Sequence, residues 1–137
     1  MKYSTWVWGA LATLMLAGCA SRPSENEMNH LASSLTKVTA AVDATVRYRH
    51  PPEDMDSVEL LRSATEHDSS LLQPFSSYTL LVRREGRQSV VLLCDPRTDA
   101  ALLEDSGCTP HLDAHRWQSP ILEQCEFSLD LGKICTR

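Results

Sequence analysis

Apolar residues fall at Met28, Leu31, Leu35, Val38, Val42 and Val46, at spacings of three and four. That period puts one stripe on one face of an α-helix, because residues three and four apart stack above one another. The helix is expected from Glu27 to Arg49. Pro51-Pro52 ends it, since the residue before a proline is pushed out of the helical region. Such a stripe more often packs on its own domain than serves as a coiled-coil or partner-binding seam. Further on, Asp56-x-x-Glu59 precedes Leu60-Leu61 in a capping-box-like pattern. It predicts a second helix from Ser57 to His67, then a turn over Asp68–Gln73 that ends at Pro74.

The period changes at Tyr78. Tyr78–Arg84 and Gln88–Cys94 read as two strands around a Glu85-Gly86 turn, a β-hairpin. Val90 and Leu92 point one way and Val91 and Leu93 the other. Both faces are therefore apolar, as in a central strand covered on both sides. Asp95-Pro96 turns the chain, and Ala100–Glu104 is expected to complete a meander, although one helical turn would fit so short a run. Thr109-Pro110 resembles a helix start and suggests a short helix through Trp117. Cys125, Phe127, Leu129 and Leu131 alternate with polar residues, as in a half-buried strand. Gly132 then turns the chain and Ile134-Cys135 returns it. The expected fold class is α+β: N-terminal helices packed on a small antiparallel sheet, with a disulfide-stapled C-terminal half.

The first residues follow another pattern. Lys2 is followed by an uncharged stretch from Tyr3 to Ser21 that contains Leu16-Ala17-Gly18-Cys19. One positive charge, an apolar centre and small residues before a cleavage point make up a secretory signal. The four-residue motif resembles the lipobox of bacterial lipoprotein precursors at every position. The resemblance implies diacylglyceryl transfer to the Cys19 thiol, cleavage between Gly18 and Cys19, and residence in the cell envelope. It also implies an outer-membrane location facing the periplasm, because Ala20 stands where an Asp retains enterobacterial lipoproteins at the inner membrane. Two acyl chains anchor stably where one does not. A retained membrane helix is the competing reading, weakened by Ser4, Thr5, Gly9, Thr13 and Gly18 within the stretch. The chain thus divides into a signal at 1–18, a lipidated tether at 19–26 and a single α+β domain at 27–137.

Charge and cysteine count narrow the functional classes. The chain carries 13 basic and 18 acidic side chains, net −5, and loss of Lys2 with the signal makes this −6. That acidity argues against nucleic acid, which needs a basic face. Besides Cys19 there are four cysteines, Cys94, Cys108, Cys125 and Cys135. An even number in an exported chain reads as two disulfides with three formal pairings. Proximity in sequence suggests Cys94–Cys108 and Cys125–Cys135.

Candidate chemistry is sparse. His111 and His115 sit at i and i+4, a zinc-compatible spacing, but lack the Glu that follows the first His in hydrolytic zinc sites. Arg83, Arg84 and Arg87 gather near the hairpin tip, where guanidiniums can hold a carboxylate or phosphate of a partner; a solvated turn is the plainer reading. Ser34-x-x-Lys37 fits a bare Ser-x-x-Lys pattern without its companion motifs. Glu104 and Asp105 are adjacent, so a strand would point them to opposite faces and a turn would leave them solvated. No catalytic set, cofactor or metal site is expected. The reading is an anchored envelope lipoprotein that works as an interaction or assembly module for another envelope protein. A pilotin-like escort of a secretin subunit and a ligand-binding or inhibitor lipoprotein are the alternatives.

Overall fold

A computed structural model of the chain describes residues 22–108 and 124–135. Helix α1 spans Glu25–Arg49 and begins two residues before the expected start. Ser24 is its cap: the hydroxyl accepts from Glu27 N–H at 3.2 Å, satisfying a donor that the first turn leaves open. The whole stripe from Met28 to Val46 is buried, at most 3 % exposed. Each such side chain contributes about 1.5–3 kcal/mol relative to exposure. The stripe is the domain's own core, as expected of an amphipathic helix. His50 closes α1 in the left-handed conformation, φ 50°, directly before Pro51.

Helix α2 covers Ser57–Ala64, capped by Asp56, whose side chain accepts from Glu59 N–H at 2.8 Å. It stops short of the expected His67. Thr65 turns both its N–H and its hydroxyl to the Leu61 carbonyl, and Asp68 starts a new cap by accepting from Ser70 N–H. The expected turn is therefore a 3-10 helix, Ser69–Phe75, with Pro74 inside it.

Strands β1 (Thr79–Glu85), β2 (Gln88–Asp95) and β3 (Ala100–Ser106) form an antiparallel meander with β2 in the centre. The fold is α+β, and the sheet is the expected hairpin plus a third strand. Gly86, at φ 59°, is the first residue of the two-residue loop that joins β1 to β2, the position where a type II′ turn requires glycine. The register shifts between Leu93 and Cys94: Leu93 faces Leu103 and Cys94 faces Ala101. Leu102 is the extra residue of a bulge, so Leu102 and Leu103 both join the core beneath the helices.

Helices α1, α2 and the 3-10 turn cover one face of the sheet. The other face presents Leu81, Leu92, Cys94 and Ala101, and Cys125 and Phe127 cover it. The expected strand over Cys125–Leu131 is not one. Its alternation is real, with Cys125, Phe127 and Leu129 half-buried and Glu126, Ser128 and Asp130 exposed. Among the described residues, however, the only bridge here is Gln124 to Ala100. The segment crosses the face of the sheet, so its amides find a side chain rather than a neighbouring strand. Gly132 does not turn the chain back; it lies within a short helix, α3 (Leu131–Ile134), anchored by the fully buried Leu131.

Candidate functional site

The three hairpin arginines do not converge. Arg83 and Arg84 are successive strand residues and so take opposite faces. Arg83 reaches the far face, where it donates to the Leu129 carbonyl and lies 5.1 Å from the centre of the Phe127 ring. Arg84 turns toward the helices and donates to the carbonyls of Pro51 and Pro52. Arg87 donates to the Arg47 carbonyl at 3.4 Å. Two of the three thus meet carbonyls at and just beyond the C-terminus of α1, where cations oppose the negative end of the helix dipole. Their first use is to join the hairpin to the helix, and the cluster expected from the sequence is dispersed.

Beside them an open cleft of about 680 Å³ runs between α1 and the C-terminal segment, lined by Ala44, Tyr48, Arg87 and Ile134 among others. Gly107 packs so tightly on α1 that a Cβ there would lie 2.2 Å from the Asp43 Cβ. Asp43 pairs with Arg47 at 2.7 Å one turn along the helix.

The four cysteines form two disulfides, Cys94–Cys125 and Cys108–Cys135, with Cα separations of 5.7 and 5.4 Å. The pairing of sequence neighbours is therefore wrong, and the meander explains why. Cys94 lies opposite Ala101 at one end of the β2–β3 pair, and Cys108 follows β3 at the other. Seven residues of strand separate those ends by roughly 20 Å, whereas a disulfide spans about 7 Å at most between Cα atoms. Each bond instead ties one end of the sheet to the segment that crosses its face.

Glu104 and Asp105 take opposite faces of β3, as expected for a strand, but neither is solvated. Glu104 is 0 % exposed. Its carboxylate accepts from Ser128 N–H at 3.0 Å, Ser128 Oγ at 2.8 Å and Leu129 N–H at 3.0 Å. A buried carboxylate is tolerated when donors saturate it, and these donors lock the crossing segment in place. Asp105 faces α1 and is 4 % exposed. Burial pushes its carboxyl up to about 6, against the pull of hydrogen bonds from Thr39 and the Ser106 amide. The sequence signal for both acids is a charged pair ending an apolar strand; the strand period gives their opposite faces, and nothing in it gives their burial.

Other expected positions carry less. Ser34 is half-buried and Lys37 exposed on α1, with no hydrogen bond between them. Cys19, His111 and His115 lie outside the described residues, as does the helix expected at Thr109–Trp117. Among the described residues no helix is long and apolar enough to cross a membrane, and no group of three or more His, Cys, Asp or Glu is placed to hold a metal. No protein-family model matches this chain, and no curated protein or solved structure does either.

Proposed function

We propose that this protein is a lipid-anchored envelope module whose folded domain binds another envelope polypeptide. The observation that carries the reading is the complete lipobox Leu16-Ala17-Gly18-Cys19, placed directly after an uncharged stretch behind Lys2. The two disulfides are consistent with it, because such bonds persist in oxidising compartments. Only five residues separate Cys19 from Glu25, the first residue of α1. Fully extended, that tether reaches about 20 Å, so the domain works close to the membrane surface. Among the described residues the buried acids and the hairpin arginines are engaged inside the fold, which supports binding by a surface over a reaction centre.

Two measurements test this. Metabolic labelling with an alkyne-bearing fatty acid is expected to mark the protein, and Cys19→Ala to abolish both the label and sedimentation with membranes. Crosslinking in intact cells, read by mass spectrometry, is expected to capture one envelope protein that Cys19→Ala loses. An unlabelled chain that sediments normally, or a labelled chain with no crosslinked neighbour, overturns the anchor or the module respectively.

A further inference from the structure

Val58 is 64 % exposed, an unusual position for a large apolar side chain in this fold. It stands at the rim of a hollow of about 300 Å³ between α2, the 3-10 helix and β1, walled chiefly by Leu61, Leu72, Phe75 and Leu80. Two neighbouring features bear on what could fill it.

The first is the edge of β1. Glu85 and Gln88 close the two-residue hairpin loop, so Thr79, Leu81, Arg83 and Glu85 exchange hydrogen bonds with β2. The N–H and C=O of Leu80, Val82 and Arg84 then point outward, because hydrogen-bonded and non-hydrogen-bonded pairs alternate along an antiparallel ladder. Ser57 occupies the pair of Val82. Among the described residues nothing occupies the pair of Leu80, and Leu80 lines the hollow. The second feature is Arg62, one turn beyond Val58 on α2 and also lining the hollow. Among the described residues it has no carboxylate partner.

Among the described residues an apolar recess, one unoccupied pair of strand hydrogen-bonding groups and a cation without an ion-paired carboxylate lie together. We propose that this recess docks an extended, acidic segment of the partner polypeptide. One residue of that segment pairs with the backbone of Leu80, an adjacent apolar side chain enters the hollow beside Val58, and a carboxylate meets Arg62. This is strand addition shortened to a single register. It rests on the reading of the domain as an interaction module and names the surface and the partner's chemistry. A second copy of the chain fits poorly, since pairing two β1 edges needs the Val82 groups that Ser57 holds.

The test uses the full chain in detergent micelles and two blocked hexapeptides, acetyl-Glu-Leu-Glu-Val-Glu-Leu-amide and the same sequence with Lys for Glu. The acidic peptide is expected to shift the Leu80 amide resonance and slow its hydrogen exchange, and the basic peptide to do neither. Val58→Asp should weaken binding by about tenfold or more, and Arg62→Glu should reverse the charge preference. Equal binding of both peptides, shifts confined to another surface, or no binding overturns the proposal. So does binding of anionic vesicles or self-association that Val58→Asp abolishes, each of which assigns the hollow to a different occupant. Val58→Asp is then introduced into the cellular crosslinking. If the partner is still captured, this surface is wrong and the module stands; if the unaltered protein captures none, the module itself fails.

Discussion

The hydroxyl of Ser57 accepts from the Val82 N–H at 2.9 Å and donates to the Val82 C=O at 3.3 Å. One short side chain at the start of α2 thereby satisfies both outward groups at the midpoint of the β1 edge. An edge with its centre occupied cannot add a full strand, which is how sheet proteins avoid pairing with their own copies. Ser57→Ala is expected to lower stability by about 1–2 kcal/mol, the cost of leaving partly buried backbone groups unpaired. Urea denaturation reads the shift, and sedimentation velocity is expected to show self-association that grows with concentration.

Asp105 gives a pH dependence of definite sign. Its folded pKa of about 6 lies above the ordinary aspartate value of 3.8, so between these values the native state holds more protons than the unfolded chain. Stability contributed here is greatest below about pH 4 and falls as pH rises through about 6. The full difference is on the order of 2–3 kcal/mol. Asp105→Asn removes that slope and is expected to stabilise the domain most at pH 7–8. Denaturant midpoints for both proteins at pH 5 and pH 8 check it: parallel behaviour of the two would rule out the assignment.

Glu104 holds the crossing segment through the amides of Ser128 and Leu129. Glu104→Gln keeps the shape but aims an amide NH₂ into a nest of donors. A loss of roughly 2–4 kcal/mol is expected, since hydrogen bonds to a charged group are stronger than neutral ones and the donors are left unmet. Hydrogen exchange should accelerate at Ser128 and Leu129 before anywhere in α1. Uniform acceleration would mean that the carboxylate supports the whole fold and not this segment.

The helices and the meander were legible because each buries an apolar face with its own period. Val90 to Leu93, apolar on both faces, correctly marked β2 as central. The start of α1 is legible too, in Ser24-Glu25-Asn26-Glu27, whose first and last residues have capping-box spacing, although the polar composition of the stretch resembles a tether. At Cys125–Leu131 the alternation told which side chains face inward and nothing of where the amides bond. Their partner, Glu104, lies 24 residues earlier in the chain. The disulfide pairing was within reach: a strand at Ala100–Glu104 already separates Cys94 from Cys108. The hollow beside Val58 was not, since it depends on how a 3-10 helix sits against β1.

Removing one disulfide at a time tests the staple. Cys94→Ala with Cys125→Ala opens a loop of 31 residues, and Cys108→Ala with Cys135→Ala one of 27. Each is expected to cost about 3.5–4 kcal/mol in the chain-entropy model, read as a lower thermal midpoint. Similar losses for both are expected, because the loops are of similar length. A negligible loss for either pair would place that bond outside the fold's stability.

The two disulfides interleave along the chain: both bonds leap the same interval, from Cys108 to Cys125. A single peptide-bond cut anywhere inside that interval leaves two fragments, each carrying one cysteine of each bridge. The pieces stay covalently joined twice over, and separate on a gel only after reduction. Pairing between neighbours would leave no covalent link between them. The molecule is therefore built so that a protease nick there severs the polypeptide without parting its halves.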